Sequence, residues 1–113
     1  MKIDIQYTQF QPARDVAERA LEKIGSLERF LKSFEKNHEI TVFVEIARTT
    51  KHHRKGDVFY AEAMFETVPG GKKMRATATA PDIRVAIDQV KEKLKKEIRR
   101  YKDKLVESKR RAI

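Results

Sequence analysis

Between Ile83 and Leu105 the apolar residues Ile83, Ile87, Val90, Leu94, Ile98, Tyr101 and Leu105 recur in steps of three and four without a break. An α-helix, at about 3.6 residues per turn, brings such positions onto one stripe, and so long a stripe needs a broad apolar surface to lie on. The rest of a 113-residue chain has to supply that surface. A length of this order suits one domain with its own core.

The surface is written as alternation. In residues 2–7, Ile3, Ile5 and Tyr7 share one side and Lys2, Asp4 and Gln6 the other, the period of a half-buried strand. Ile40, Val42, Val44 and Ile46 alternate with Thr41, Phe43, Glu45 and Ala47 as a second strand. Asp57 to Thr67 reads as a third strand and Lys73 to Thr79 as a fourth, joined by a turn at Pro69-Gly70-Gly71. Between the first two strands, Val16, Ala20, Leu21, Ile24, Leu27, Leu31 and Phe34 predict a helix from Pro12 to Phe34, weakened at Gly25-Ser26, where a bend is permitted. Asp82, after Pro81, opens the last helix, which should reach about Leu105.

The order β-α-β-β-β-α predicts an α+β fold. The first two strands are parallel through a right-handed crossover, the next two add an antiparallel meander, and both helices cover one face of a four-stranded mixed sheet. No repeat or long linker divides the chain. Residues 1–107 are expected to form one domain, and 108–113 a frayed basic tail.

Several chemistries are removed by composition. The absence of cysteine excludes disulfides, thiolate metal sites and cysteine nucleophiles, while leaving the redox compartment open. The start has no signal-type apolar core, and no stretch approaches the ~20 apolar residues of a membrane span, so a cytoplasmic protein is the expectation. No Ser/His/Asp set or carboxylate pair stands out, and an enzyme is not expected. His52-His53 lacks metal-site spacing and fits phosphate contacts better, so neither metal nor cofactor is expected. Pro69-Gly70-Gly71-Lys72-Lys73 lacks the phosphate-loop pattern and leads into a strand; it is a hairpin turn.

Charge is the positive signal. Against 17 Asp and Glu stand 26 Lys and Arg, a net +9, which points to a polyanionic partner. The excess is uneven: 14 basic and 11 acidic residues up to Ala80 leave +3, and 12 against 6 beyond it leave +6. Lys93, Lys96, Arg100 and Lys104 run along one flank of the last helix. Lys91, Lys95, Arg99 and Lys102 flank or oppose the stripe, with Glu92, Glu97 and Asp103 pairing some of these cations. A second cluster, Arg48, Lys51, Arg54 and Lys55, lies between strands, and Lys72, Lys73 and Arg75 form a third at the hairpin. Such clusters suit a folded RNA held by its phosphates. Phe43, Tyr60 and Met64 are expected on the sheet face away from the helices, where a protein contact or partial shielding is favoured over base stacking.

His52-His53-Arg54-Lys55-Gly56-Asp57-Val58-Phe59, then Ala61-Glu62, Pro69-Gly70, Met74-Arg75-Ala76, Ala86-Ile87-Asp88, and Lys93-Leu94 ahead of Tyr101-Lys102 form an ordered series across nearly the whole chain. It resembles the ribosome hibernation promoting factors, also called ribosome-associated inhibitor or YfiA-like proteins. The resemblance implies the same β-α-β-β-β-α fold. It implies stress-time inhibition of translation by occupying the messenger RNA and tRNA channel of the small ribosomal subunit. The implied ribosomal-RNA contacts are Arg54 and Lys55 in the loop, Lys93, Lys96, Arg100 and Lys102 on the last helix, and Lys23 and Arg29 on the first. The family's usual Thr before the helix proline is Gln11 here. The resemblance further implies a short form, without the dimerisation domain of long members, and a monomer in solution. A protein-binding regulator of the sigma-54 modulation type, using the open sheet face around Phe43 and Tyr60 for an acidic partner, is the alternative, and a general RNA chaperone a third.

Overall fold

A computed structural model describes residues 1–50 and 56–111. Strands β1 (Lys2–Thr8), β2 (Thr41–Arg48), β3 (Phe59–Glu66) and β4 (Lys73–Ala80) form one sheet in the order β1-β2-β3-β4. β1 pairs with β2 in parallel, and the β2–β3 and β3–β4 pairs are antiparallel. Helices α1 (Arg14–Gly25), α2 (Glu28–Leu31) and α3 (Ile83–Arg111) cover one face, and the α+β arrangement is the one that periodicity predicts.

The alternation decides which way each strand faces. Val42, Val44 and Ile46 of β2, Ala61, Ala63 and Phe65 of β3, and Met74, Ala76, Ala78 and Ala80 of β4 are buried under the helices. Five of these ten side chains are alanine, so the backbone of α3 can settle close over β3 and β4. Ile83, Ala86, Ile87, Val90, Leu94 and Ile98 then fill the space between. Arg19 of α1 donates to both carboxylate oxygens of Asp88 on α3, at 3.1 and 2.6 Å, bracing the two helices side by side.

Two elements depart from the sequence reading. The first helix begins at Arg14 rather than at Pro12 and is not continuous to Phe34. It ends at Gly25, resumes as the single turn of α2, and finishes in a 3-10 turn over Lys32–Phe34. The Ser26 hydroxyl donates to the Lys23 carbonyl at 2.6 Å, and the Leu27 N–H goes to Ile24, three residues back. That local bonding competes with the α-helical ladder. Leu27 and Leu31 stay fully buried because steps of three and four residues keep the stripe on the core side.

At the other end α3 does not stop near Leu105, and residues 108–111 are helical rather than frayed. Its 29 residues span about 43 Å at 1.5 Å per residue, so the helix outruns the sheet and stretches the molecule to 57 × 24 × 22 Å. Leu105 and Val106 lie on this overhang and are exposed, so the apolar stripe continues past the surface that buries it.

The β3–β4 turn follows a type II pattern: Pro69 precedes Gly70 at φ +74, and the Gly71 N–H returns to the Val68 carbonyl at 2.8 Å. This is the hairpin expected from the sequence.

Carboxylates tie the ends of elements together, which sets an acid limit on stability. Burial opposes ionisation of Glu35, but the Ile40 N–H at 3.0 Å and the Met1 ammonium at 3.1 Å outweigh it and hold its pKa below the usual carboxylate value. Burial likewise opposes ionisation of Glu62, and the Arg75 guanidinium and Tyr60 hydroxyl outweigh it. Asp82 is lowered by Arg84. A carboxylate with a depressed folded-state pKa contributes stability that is complete above its unfolded value and is lost as pH falls through the folded one. Thermal unfolding followed by circular dichroism should therefore show a midpoint level from about pH 6 down to about pH 5 and falling below about pH 4.5. Glu35→Gln should lower the plateau and make the acid limb shallower. An acid limb unchanged by that substitution contradicts the assignment.

Candidate nucleic-acid interface

The two charged flanks of α3 lie on opposite sides of its buried stripe and meet different neighbours. On one flank Lys91, Lys95, Arg99 and Lys102 follow one another by four, four and three residues, and Lys95 and Arg99 face α2. Phe30 of α2 is half-buried there. Arg29 Cζ stands 4.7 Å from its ring centre, and Lys95 Nζ and Arg99 Cζ each 5.5 Å. Lys102 Nζ lies 5.5 Å from the ring of Phe34, which itself packs at 5.9 Å on Tyr101. Aromatic faces hold these cations by their quadrupoles without neutralising them. The seam between α2 and α3 is thus a row of four positive charges fixed in place, with their charge still available.

On the other flank Lys93, Arg100 and Lys104 face β4 and the hairpin. A groove of about 500 Å³ runs between them, with Lys72, Lys73, Arg75, Arg100 and Lys104 on its walls and Glu97 as its acid. Lys96 sits outward between the two flanks and is exposed.

Ion pairs decide which cations remain free to act. Carboxylates hold Arg14, Arg19, Arg75, Arg84 and Lys91. Among the described residues, Lys23, Arg29, Lys93, Lys96, Arg100 and Lys102 have no carboxylate at ion-pair distance. Of the three acids expected to neutralise α3, Glu92 takes Lys91 at 2.9 Å, while Glu97 and Asp103 make no ion pair among the described residues.

The sequence-derived candidates are not equivalent. Arg29 and Lys102 belong to the seam, and Lys96, on the exposed side of α3, links it to Arg100 at the hairpin groove. Lys93 donates to the Thr77 carbonyl on the outer edge of β4 at 2.8 Å. Its amine protects that sheet edge from pairing. Lys23 closes α1 and makes no ring contact with the seam. Arg54 and Lys55 lie outside the described residues, as do Lys51, His52 and His53. Arg75 of the hairpin cluster is held by Glu62 at 2.7 Å, leaving Lys72 and Lys73 as its uncompensated members.

Lys95 and Arg99 are the seam residues that the sequence reading did not single out as contacts. Their spacing of four on the flank of a stripe was visible. That a separate short helix would set Phe30 against them was not.

Among the described residues no group of three or more His, Asp or Glu is placed to hold a metal, and no helix is long and apolar enough to cross a membrane.

The sequence pattern of the family described as sigma 54 modulation protein / S30EA ribosomal protein matches residues 3–106. The chain belongs to that family. The Sigma 54 modulation/S30EA family is one of ribosome-associated proteins rather than enzymes. A ribosome hibernation promotion factor of Lactococcus lactis subsp. cremoris is 32% identical over 93 residues, which are 81% of this chain and 44% of that protein, so the chain matches less than half the length of this curated relative. The N-terminal domain of Protein Y from Thermus thermophilus has the same fold, with a TM-score of 0.66 at 20% identity over 89% of this chain and 99% of that one. A ribosomal subunit interface protein from Coxiella burnetii gives 0.59 at 18% identity over 91% and 99%.

Proposed function

We propose that this member of the Sigma 54 modulation/S30EA family is a ribosome-binding inhibitor of translation that seats its helix layer against ribosomal RNA of the small subunit. There it occupies the channel used by messenger RNA and the tRNA anticodon arms. The observation that carries the proposal is the seam of Arg29, Lys95, Arg99 and Lys102, linked by Lys96 to Arg100, in which none of the six has a carboxylate partner among the described residues. Phosphates supply the counter-charge that the protein does not. A rigid helix about 43 Å long gives the contact the reach of several nucleotides. Inhibition follows from occlusion and needs no reacting group.

Few large aromatic side chains are exposed on the helix layer, which suits recognition of RNA by shape and phosphate rather than by base edges.

Sedimentation with lysate through a sucrose gradient at about 0.1 M salt tests the partner: the protein should travel with small subunits or whole ribosomes. Migration at the top of the gradient overturns the reading. With about six phosphates neutralised, log Kd against log salt should have a slope of magnitude near 4–5, weakening binding about 10²–10³-fold between 50 and 200 mM. A flat response overturns the phosphate account.

A further inference from the structure

The sheet face turned away from the helices has exposed Lys2 and Lys73 toward its ends, but its centre is rich in carboxylates. Across the four strands, Asp4, Phe43, Met64 and Arg75 stand in one row, and Gln6, Glu45, Glu62 and Thr77 in the next row on the same face. Phe43 is 51% exposed at the centre of this face. A groove of about 480 Å³ lies over the two rows, with Asp4, Glu45, Glu62, Phe43 and Met64 on its walls and no Lys or Arg among its lining residues. A second concavity of about 350 Å³ shares Phe43 and Met64 and extends the groove along β2 and β3 to Glu39, Glu66 and His38.

Glu62 is engaged by Arg75 and Tyr60, and Glu66 accepts the Gly70 N–H. Asp4 and Glu45 have no hydrogen-bond or ion-pair partner among the described residues. They stand beside Phe43, one on the neighbouring strand and one two residues along, at strand spacings of about 5 and 7 Å. A cationic side chain laid over Phe43 would meet the negative face of its ring and two carboxylates together. In a chain of net +9 the unpaired carboxylates of Asp4 and Glu45 make this strip unfavourable for nucleic acid and for an acidic partner alike.

We propose that this outer sheet face is a docking surface for an extended, Arg- and Lys-rich polypeptide segment, with one basic side chain seated over Phe43 between Asp4 and Glu45. The protein would then hold RNA on its helix layer and a cationic protein on its sheet. This proposal does not depend on the RNA reading, because the two faces share none of the residues tested.

A fluorescein-labelled twelve-residue peptide of alternating Arg and Ala, with a matched Glu and Ala peptide as control, provides the test by anisotropy at about 50 mM salt. The Arg peptide should bind and the Glu peptide should not. Asp4→Asn with Glu45→Gln should weaken Arg-peptide binding by about fivefold or more. Phe43→Ala should weaken it by about two- to fivefold. Lys96→Glu with Arg100→Glu should not weaken it. Circular dichroism melting of each variant establishes that these exposed substitutions leave the fold intact. Absent binding of the Arg peptide, or equal binding by the Asp4/Glu45 variant, overturns the proposal. So does a single-stranded RNA whose binding depends on Phe43, which would make the face a base-stacking platform.

Discussion

Reversing Lys96, Arg99 and Arg100 together to Glu is expected to weaken binding to small ribosomal subunits by at least about 10²–10³-fold near 0.1 M salt. All three are exposed, and none has a carboxylate partner among the described residues, so the loss should come without unfolding. Each removed phosphate contact also takes about 0.7–0.9 from the magnitude of the salt slope, and three should take about 2–3. The three reversals lower the net charge from +9 by six to +3. A control with the same net charge, reversing Lys2, Arg14 and Lys36, separates the helix layer from charge in general. It should retain most of the affinity. Equal losses in the two triple variants would mean that the protein binds through overall charge and not through the α3 surface. Lys93→Glu alone should cost less than Arg100→Glu, because the Lys93 amine is already given to the Thr77 carbonyl.

Leu94→Ala is expected to cost about 2–5 kcal/mol of folding stability, measured by urea denaturation. Leu94 is fully buried where α3 crosses the alanine-rich surface of β3 and β4, and the small side chains beneath it cannot swell to fill the space. Leu105→Ala, on the same stripe three turns later, should change stability by less than about 0.5 kcal/mol, because the overhang gives it nothing to pack on. Similar costs at the two positions would mean that the end of α3 is covered in solution.

That pair also marks how far the sequence could be read. The stripe from Ile83 to Ile98 was legible because each step of three or four lands on the sheet. Its last member was misleading because a period reports which way a side chain points and not whether a neighbour lies below. The strands were legible for a related reason: with one face solvated, Ile3, Val42, Ala61 and Ala76 alternate with Lys2, Phe43, Glu62 and Arg75 at the period of the pleat. The break after Gly25 was hidden, since Ile24, Leu27 and Leu31 keep helical spacing through a stretch whose bonding is partly 3-10. The Ser26 hydroxyl that helps redirect the chain resembles any other surface serine in a one-dimensional pattern.

In the candidate interface, charge density on α3 was readable, but the fate of each cation was not. Arg75 is neutralised across the sheet by Glu62, thirteen residues away, and Lys93 reaches a carbonyl sixteen residues away. Lys95 and Arg99 gain their place from Phe30, some 65 residues earlier. Such long-range partners leave no local period. The anionic sheet face was hidden in the same way, because Asp4, Glu45 and Glu62 become neighbours only through strand register.

A density map at side-chain resolution of the protein bound to the small ribosomal subunit decides where the helix layer lies. The protein should lie in the channel, with α2 and α3 against the RNA backbone and Arg29, Lys96, Arg99 and Arg100 at phosphate distance. A map with the outer sheet face against RNA, or with the protein seated outside the channel, contradicts that placement.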